Sequence, residues 1–215
     1  MKRSILIAFV WLPWAPAFAF QLADPPVAKH ENIIDKLAGI VGPAEPTKLT
    51  EKKRFQLYVV STVGPIPLFA EAVGAGISQW DNSPKEWGQG WEAYGKRYGS
   101  NLAYNGVRET ITYGTSVVFR EDNRYFASHK HGIWPRTGYA VLSTVTARHS
   151  DGSRAFSVSS VTGVIGASAI SSIWEPPSQK RIGNIAENAG ISFAATAGFN
   201  IAREFLGDIL HRPHK

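Results

Sequence analysis

Small side chains recur at every fourth position in four separate stretches of this chain, and that spacing limits what it can fold into. The longest set is Ala155, Ser159, Gly163, Ala167 and Ser171. The others are Gly190, Ala194, Gly198 and Ala202, then Gly95, Gly99 and Ala103, and more briefly Ala70, Gly74 and Ser78. Residues four apart line one ridge of an α-helix, so each stretch offers a smooth stripe with almost no side chain. Glycine inside a helix costs about 1 kcal/mol relative to alanine, so this many interior glycines need a packing reason. Close helix–helix contact, as in membrane helix pairs, is that reason. No segment shows a convincing alternation of apolar and polar residues. The expected fold is therefore all-α, a compact bundle of about five or six glycine- and alanine-ridged helices suited to membrane association.

The N-terminus carries a second strong signal. Met1-Lys2-Arg3 is basic, Ser4 to Phe18 is uncharged and apolar, and Ala17-Phe18-Ala19 has the small-x-small form of a cleavage site. Residues 1–19 read as a cleavable signal peptide, which makes Phe20 the mature N-terminus. Pro13 and Pro16 disfavour a spanning anchor there. The expected location is outside the cytoplasm, in the periplasm or on the membranes of the cell envelope. Cysteine is absent throughout, which removes disulfides, thiolate chemistry and zinc–cysteine sites. The formal charge of +6 falls to about +4 once Lys2 and Arg3 are removed. Its basic residues are dispersed rather than gathered into an arm, so nucleic acid is not an expected partner. Anionic lipid headgroups or acidic envelope polymers suit the charge better, although it also serves ordinary solubility.

Residues 20–49 read as a tether broken by Asp24-Pro25-Pro26 and Gly42-Pro43-Ala44-Glu45-Pro46, and 212–215 as a tail. The bundle domain, 50–211, begins at Thr50 as a helix cap and is first interrupted at Gly64-Pro65-Ile66-Pro67. A second helical segment covers Leu68 to Trp80. Ser83-Pro84-Lys85-Glu86 has the form of a capping box and predicts a helix that continues, bent or broken near Gly99, to about Val118. Glu121 to Pro135 reads as a polar loop, and Arg136 to Arg148 as a short helix. Ser150-Asp151-Gly152 reads as a turn, Ser153 to Trp174 as a helix, and Ser178 as the cap of a last helix ending near Leu210.

Ala155 to Trp174 holds no charge over 20 positions, long enough to cross a bilayer, with Arg154 and Trp174 placed as interfacial anchors. It also carries seven serines and threonines, and the other helices contain charges: Glu71, Lys96, Arg97, Arg108, Glu109, Glu187, Arg203 and Glu204. A charge at membrane depth costs at least about 2.5 kcal/mol, which argues against a polytopic membrane protein and for a bundle that touches or partly enters lipid.

Three groups of residues could carry chemistry. Glu121, Asp122, His129 and His131 lie within eleven positions and form a catalytic candidate. His129 and His131 would be the metal ligands, although Lys130 between them repels a cation; the alternative is a charged surface loop. Trp87, Trp91, Tyr94 and Tyr98 fall on one helical stripe, either as a buried core or as a wall for an apolar ligand. Arg108-Glu109 and Arg203-Glu204 would form a buried four-membered charge network if their helices pack together, extended by Asn105, Asn188 and Asn200. Arg108 and Arg203 then count as ligand-binding candidates. There is no G-x-S-x-G elbow, no H-E-x-x-H pair and no phosphate-binding glycine loop, and nothing calls for a cofactor.

The run from Glu86 through Trp87, Gly88, Gln89, Gly90, Trp91, Glu92, Ala93, Tyr94, Gly95, Lys96, Arg97 and Tyr98 to Gly99, together with Glu121-Asp122-Asn123-Arg124-Tyr125-Phe126, resembles a group of exported, glycine-rich helical proteins from soil-type Gram-negative bacteria. The resemblance covers most of the mature chain and implies export, with no activity, cofactor or site attached. The expected function is that of an exported cell-envelope protein with a structural, assembly or lipid-contacting role. A hydrolase using the Glu121 to His131 loop and a carrier of an apolar ligand are the alternatives. Expected partners are membrane lipid, an envelope protein, or a second copy met through the small-residue helix faces.

Overall fold

Thr50 opens the first helix, α1 (Glu51–Val63), its side chain accepting a hydrogen bond from the Lys53 N–H. The computed structural model describes residues 42–44, 47–149 and 152–210. The signal-peptide expectation (1–19), most of the tether and the tail lie outside them. At Gly64 the chain turns extended for one residue while its N–H still bonds the Val60 carbonyl at 3.0 Å. Pro65, with no N–H to lose, then starts α2 (Pro65–Trp80). The interruption is a single residue, and helix resumes at Pro65 rather than Leu68.

The capping box expected at Ser83 does not form. Pro84 instead precedes a 3-10 turn (Lys85–Trp87), and Gly88 and Gly90 take positive φ values of 70° and 96°. That conformation interrupts any helix and suits glycine. The long helix α3 (Trp91–Phe119) starts only afterwards and runs unbroken past Gly99 over 29 residues, about 43 Å. Arg120, at φ 54°, closes it.

Two further expectations need correction. The segment read as one helix from Arg136 to Arg148 is α4 (Ile133–Leu142) followed by strand β1 (Thr146–Arg148). The helix expected from Ser153 begins later, because Arg154–Phe156 forms β2, antiparallel to β1 with Ala147 facing Ala155. Strands of three residues are too short for a period of two to register. Ser157 then caps α5 (Val158–Ser171), and a 3-10 turn (Pro177–Lys180) leads into α6 (Ile182–Leu210). The architecture is mainly all-α with this one small hairpin.

The hydrogen bonds set the helix directions. Arg54 reaches Ser116, Ser61 reaches Glu109, and Tyr94 reaches the Ala72 carbonyl, so α1 and α2 run antiparallel to α3. Along α5, Thr162 bonds Thr115 and Ser168 bonds Tyr104, so α5 is antiparallel to α3 as well. Tyr104 also meets Ser192 of α6 at 2.7 Å, and Asn200 of α6 bonds the Ala140 carbonyl of α4. The two ends of the bundle are thus defined. One holds Trp80, the 3-10 turns and the start of α3 and α6. The other holds Thr50, Arg120, α4 and the hairpin.

The α5 ridge does what its spacing predicts. Ser159, Gly163, Ala167 and Ser171 are all buried, whereas Ala155 lies in β2 and is exposed. A Cβ on Gly163 would overlap the Thr112 hydroxyl and sit 3.1 Å from the Arg108 carbonyl; one on Gly166 would sit 2.8 Å from Ile111. Gly74 of α2 faces Asn101 at 3.2 Å. The other two ridges point the opposite way. Gly95, Gly99 and Ala103, and Gly190, Ala194, Gly198 and Ala202, are exposed, and a Cβ on any of these glycines would meet nothing within 4 Å.

These placements separate two kinds of glycine. Gly163→Leu is expected to destabilise the protein by about 3 kcal/mol, because the side chain has no room against α3. Gly198→Ala should leave it unchanged or raise its stability by up to about 1 kcal/mol. Denaturant unfolding followed by helical ellipticity checks both; a tolerated Gly163→Leu would mean that the α3–α5 contact is not close.

Candidate functional site

The loop after α3 carries the densest polar cluster, and its centre is Glu121. This side chain is 1% exposed. Its carboxylate accepts the Val158 and Ser159 N–H groups, each at 2.9 Å, together with the Ser157 hydroxyl at 3.1 Å and the Ser159 hydroxyl. Those N–H groups belong to the first turn of α5, which has no intrahelical acceptors for them, and the positive end of the helix dipole favours the negative charge. Asn123 completes the cluster by donating to the Ser159 hydroxyl at 2.7 Å and accepting from those of Ser157 and Ser160. Arg54 of α1 bonds the Glu121 carbonyl and Ser116, which brings a third helix to the same point. Burial pushes the Glu121 carboxyl up, but the hydrogen bonds from Ser159, Val158 and Ser157 outweigh it and hold the group below the usual carboxylate range.

The remaining candidates in this loop do not join Glu121. Asp122 is paired with Arg124 at 2.8 Å, and its backbone bridges to Arg148. His129, at φ 52°, and His131 are both exposed. Among the described residues no group of three or more histidine, aspartate or glutamate side chains is placed to hold a metal ion. Both carboxylate oxygens of Glu121 accept protein donors, which makes it a helix cap rather than a free base.

The expected four-membered charge network is instead two separate ones. Arg108 and Glu109 pair at 2.8 Å between α1 and α3; Ser61 donates to Glu109 at 2.7 Å, and Asn105 accepts from Arg108 at 2.9 Å. Glu204 sits at the α4 end, accepting from Tyr125 at 2.6 Å, from the Ser128 N–H and hydroxyl, and from Arg136 at 3.0 Å. Arg136 also pairs with Asp208. Burial, reinforced by the Glu204 hydrogen bond, pushes the Tyr125 hydroxyl well above its usual range. Arg203 joins neither network: its Nε is buried with no hydrogen-bond partner, and its guanidinium lies 5.9 Å from the Phe199 ring. Arg108 and Glu109 stand next to Asn105, and Asn200 bonds α4, so each asparagine serves its own interface.

The aromatic row is a band along the outside of the bundle. Trp91 is 89% exposed, Trp87 lies in the 3-10 turn before α3, and Tyr94 and Tyr98 are half-buried with stacked rings 6.4 Å apart. Nearby, a cleft of about 410 Å³ separates Asp81–Glu86 from Ser178 and Gln179. Arg97, 1% exposed, holds its floor by donating to the Ser83 and Pro84 carbonyls and to Gln79. At the same end Ser100 donates to Glu175 at 2.6 Å and accepts from the Trp174 indole at 3.0 Å.

Comparison of the chain with protein-family models, with curated proteins and with solved structures gives no match.

Glu121→Gln is expected to cost about 3 kcal/mol at neutral pH, because an amide cannot accept four donors as a carboxylate does. The folded-state pKa is lowered, so the carboxylate's advantage is present above the ordinary carboxylate range and is lost as pH falls through the lowered value. Unfolding of both proteins across acidic pH should therefore show the gap closing with acid. A constant gap would show that the charge of Glu121 is not what stabilises the cap.

Proposed function

We propose that this is an exported cell-envelope protein with a structural and lipid-contacting role, its bundle seated in a bilayer with its ends at the two interfaces. One observation carries the reading: polarity is turned inside out. Among the described residues Val164 is the only buried valine, leucine or isoleucine and Tyr125 and Phe126 the only buried aromatics, whereas twenty-four large apolar side chains are exposed. Arg97, Asn105, Glu121, Ser159 and Ser168 are at most 1% exposed. Water gives no reason for that distribution, since apolar burial is the main driving force for folding there. Lipid does, because polar groups must be satisfied internally and the exterior must be apolar.

The distribution of charge agrees. Arg108 and Glu109 are half-buried and paired with each other, with Ser61 and with Asn105, which offsets their cost at membrane depth. No described charged residue is exposed on α3 between Lys96 and Arg120, or on α6 between Glu187 and Asp208. Those stretches span about 36 Å and about 31 Å at 1.5 Å per residue, against a hydrocarbon core of about 30 Å. Glu51–Trp80 is long and apolar enough to cross on its own account, and only 6% of its apolar window is buried. α5, at 14 residues, is too short to span; it packs one face on α3 and exposes Ile165 and Ile170 on the other. Exposed tryptophans stand at both ends, Trp80 and Trp91 at one and Trp134 at the other, where interfacial anchors belong.

Fractionation of a Gram-negative host that produces the full chain tests the proposal. The protein should stay in the membrane pellet through alkaline carbonate and be released only by detergent. Recovery in the soluble periplasmic extract would overturn it.

A further inference from the structure

The two ends of the bundle differ in charge. At the end holding the 3-10 turns, the exposed charges balance, with Lys85, Lys96, Lys180 and Arg181 against Asp81, Glu86, Glu92 and Glu187. At the opposite end Lys48, Lys52, Lys53, Arg120, Lys130 and Arg154 are exposed, and among the described residues the exposed acids there are Glu51 and Asp208. Both of those acids are already paired, Glu51 with Arg54 and Asp208 with Arg136. None of the six exposed cations has an acidic partner within 4 Å among the described residues. Arg203, next to Glu204 at the same end, also lacks one.

The cations are arranged around apolar side chains rather than scattered. Lys130 lies 5.6 Å and Arg154 4.3 Å from the Tyr139 ring of α4. That helix begins with Ile133 and Trp134, 69% and 85% exposed. At the start of α1, Lys52 stands one turn from Phe55, which is 52% exposed. An excess of exposed cations at one end of the bundle, beside exposed tryptophan, isoleucine and phenylalanine, is what the headgroup level of an anionic leaflet complements. The rings enter the acyl boundary while the ammonium and guanidinium groups meet phosphate.

The geometry points to selective recruitment of anionic phospholipid around this one end of the bundle, a reading that rests on the bilayer placement above. The chemistry recognised is the phosphodiester with a net negative headgroup, not a particular lipid. Zwitterionic lipid suffices at the balanced end.

Competition between spin-labelled phosphatidylglycerol and spin-labelled phosphatidylcholine for the protein's lipid shell tests this, with the full chain reconstituted into phosphatidylcholine vesicles. The expected preference for phosphatidylglycerol is at least about fivefold, the factor for one basic residue near an anionic surface, and it should fall at high salt. The variant Lys52→Gln/Lys53→Gln/Arg120→Gln, with helical content checked by circular dichroism, should lose most of the preference. The variant Lys85→Gln/Lys180→Gln should keep it. Incorporation with equal affinity for the two lipids, or a preference unchanged in the triple variant, would overturn the inference while leaving the bilayer placement intact. Failure to incorporate into vesicles at all would overturn both.

Discussion

The close contact of α5 on α3 is the constraint on which the rest of this structure depends. Because Gly163 leaves no room for a Cβ beside Thr112, the two backbones approach closely, and residues flanking the seam must be small or hydroxylated. Such a seam buries little apolar area, so it is held by dispersion, by hydroxyl bonds such as Tyr104 to Ser168, and by closure at its ends. Glu121 closes one end by capping α5, and the Ser100–Glu175–Trp174 group closes the other. Arg54 ties α1 to the first closure, while Arg97 fixes the loop beside the second.

A core of that kind decides what the outside looks like. Few large apolar residues are buried, Val164, Tyr125 and Phe126 among them, and most of the others cover the surface of α1, α2 and α6 and the outer faces of α3 and α5. The charged groups are then either drawn inward to partners, as Glu109 and Glu204 are, or left at the two ends. Interior polarity, exterior apolarity and end-sorted charge are one consequence of small-residue packing, and together they give the envelope reading its physical content.

Much of the fold is legible in the sequence, because local rules decide it. The Thr50 cap, the break at Gly64 and the α5 ridge all follow from residues within a few positions of each other, although α5 ends at Ser171 rather than at Trp174. What is not legible depends on which way a helix is turned. The ridges at Gly95 and Gly190 have the same spacing as that of α5 yet face outward, since periodicity places residues on one face without saying what lies opposite. For the same reason Arg108 and Glu109 read as an argument against a bilayer when counted along the chain. Once they are turned inward toward Ser61 and Asn105 they no longer weigh against it. The polar cluster around Glu121 is visible in the sequence, but its role as a cap is not, because its donors Ser157 to Ser159 lie more than thirty residues on. At Ser83 the local capping pattern yields to Gly88 and Gly90, whose positive φ values delay the helix to Trp91.

The natural lack of cysteine makes the central claim directly measurable. Single cysteines at Val73, Ile165 and Phe199, all exposed on different helices, can be spin-labelled in the full chain in liposomes, and their collision rates with oxygen and with a polar nickel chelate compared. Seating in a bilayer predicts that all three sites are more accessible to oxygen than to the chelate, with the reverse at Lys52. Greater accessibility to the chelate at all three apolar sites would contradict the account.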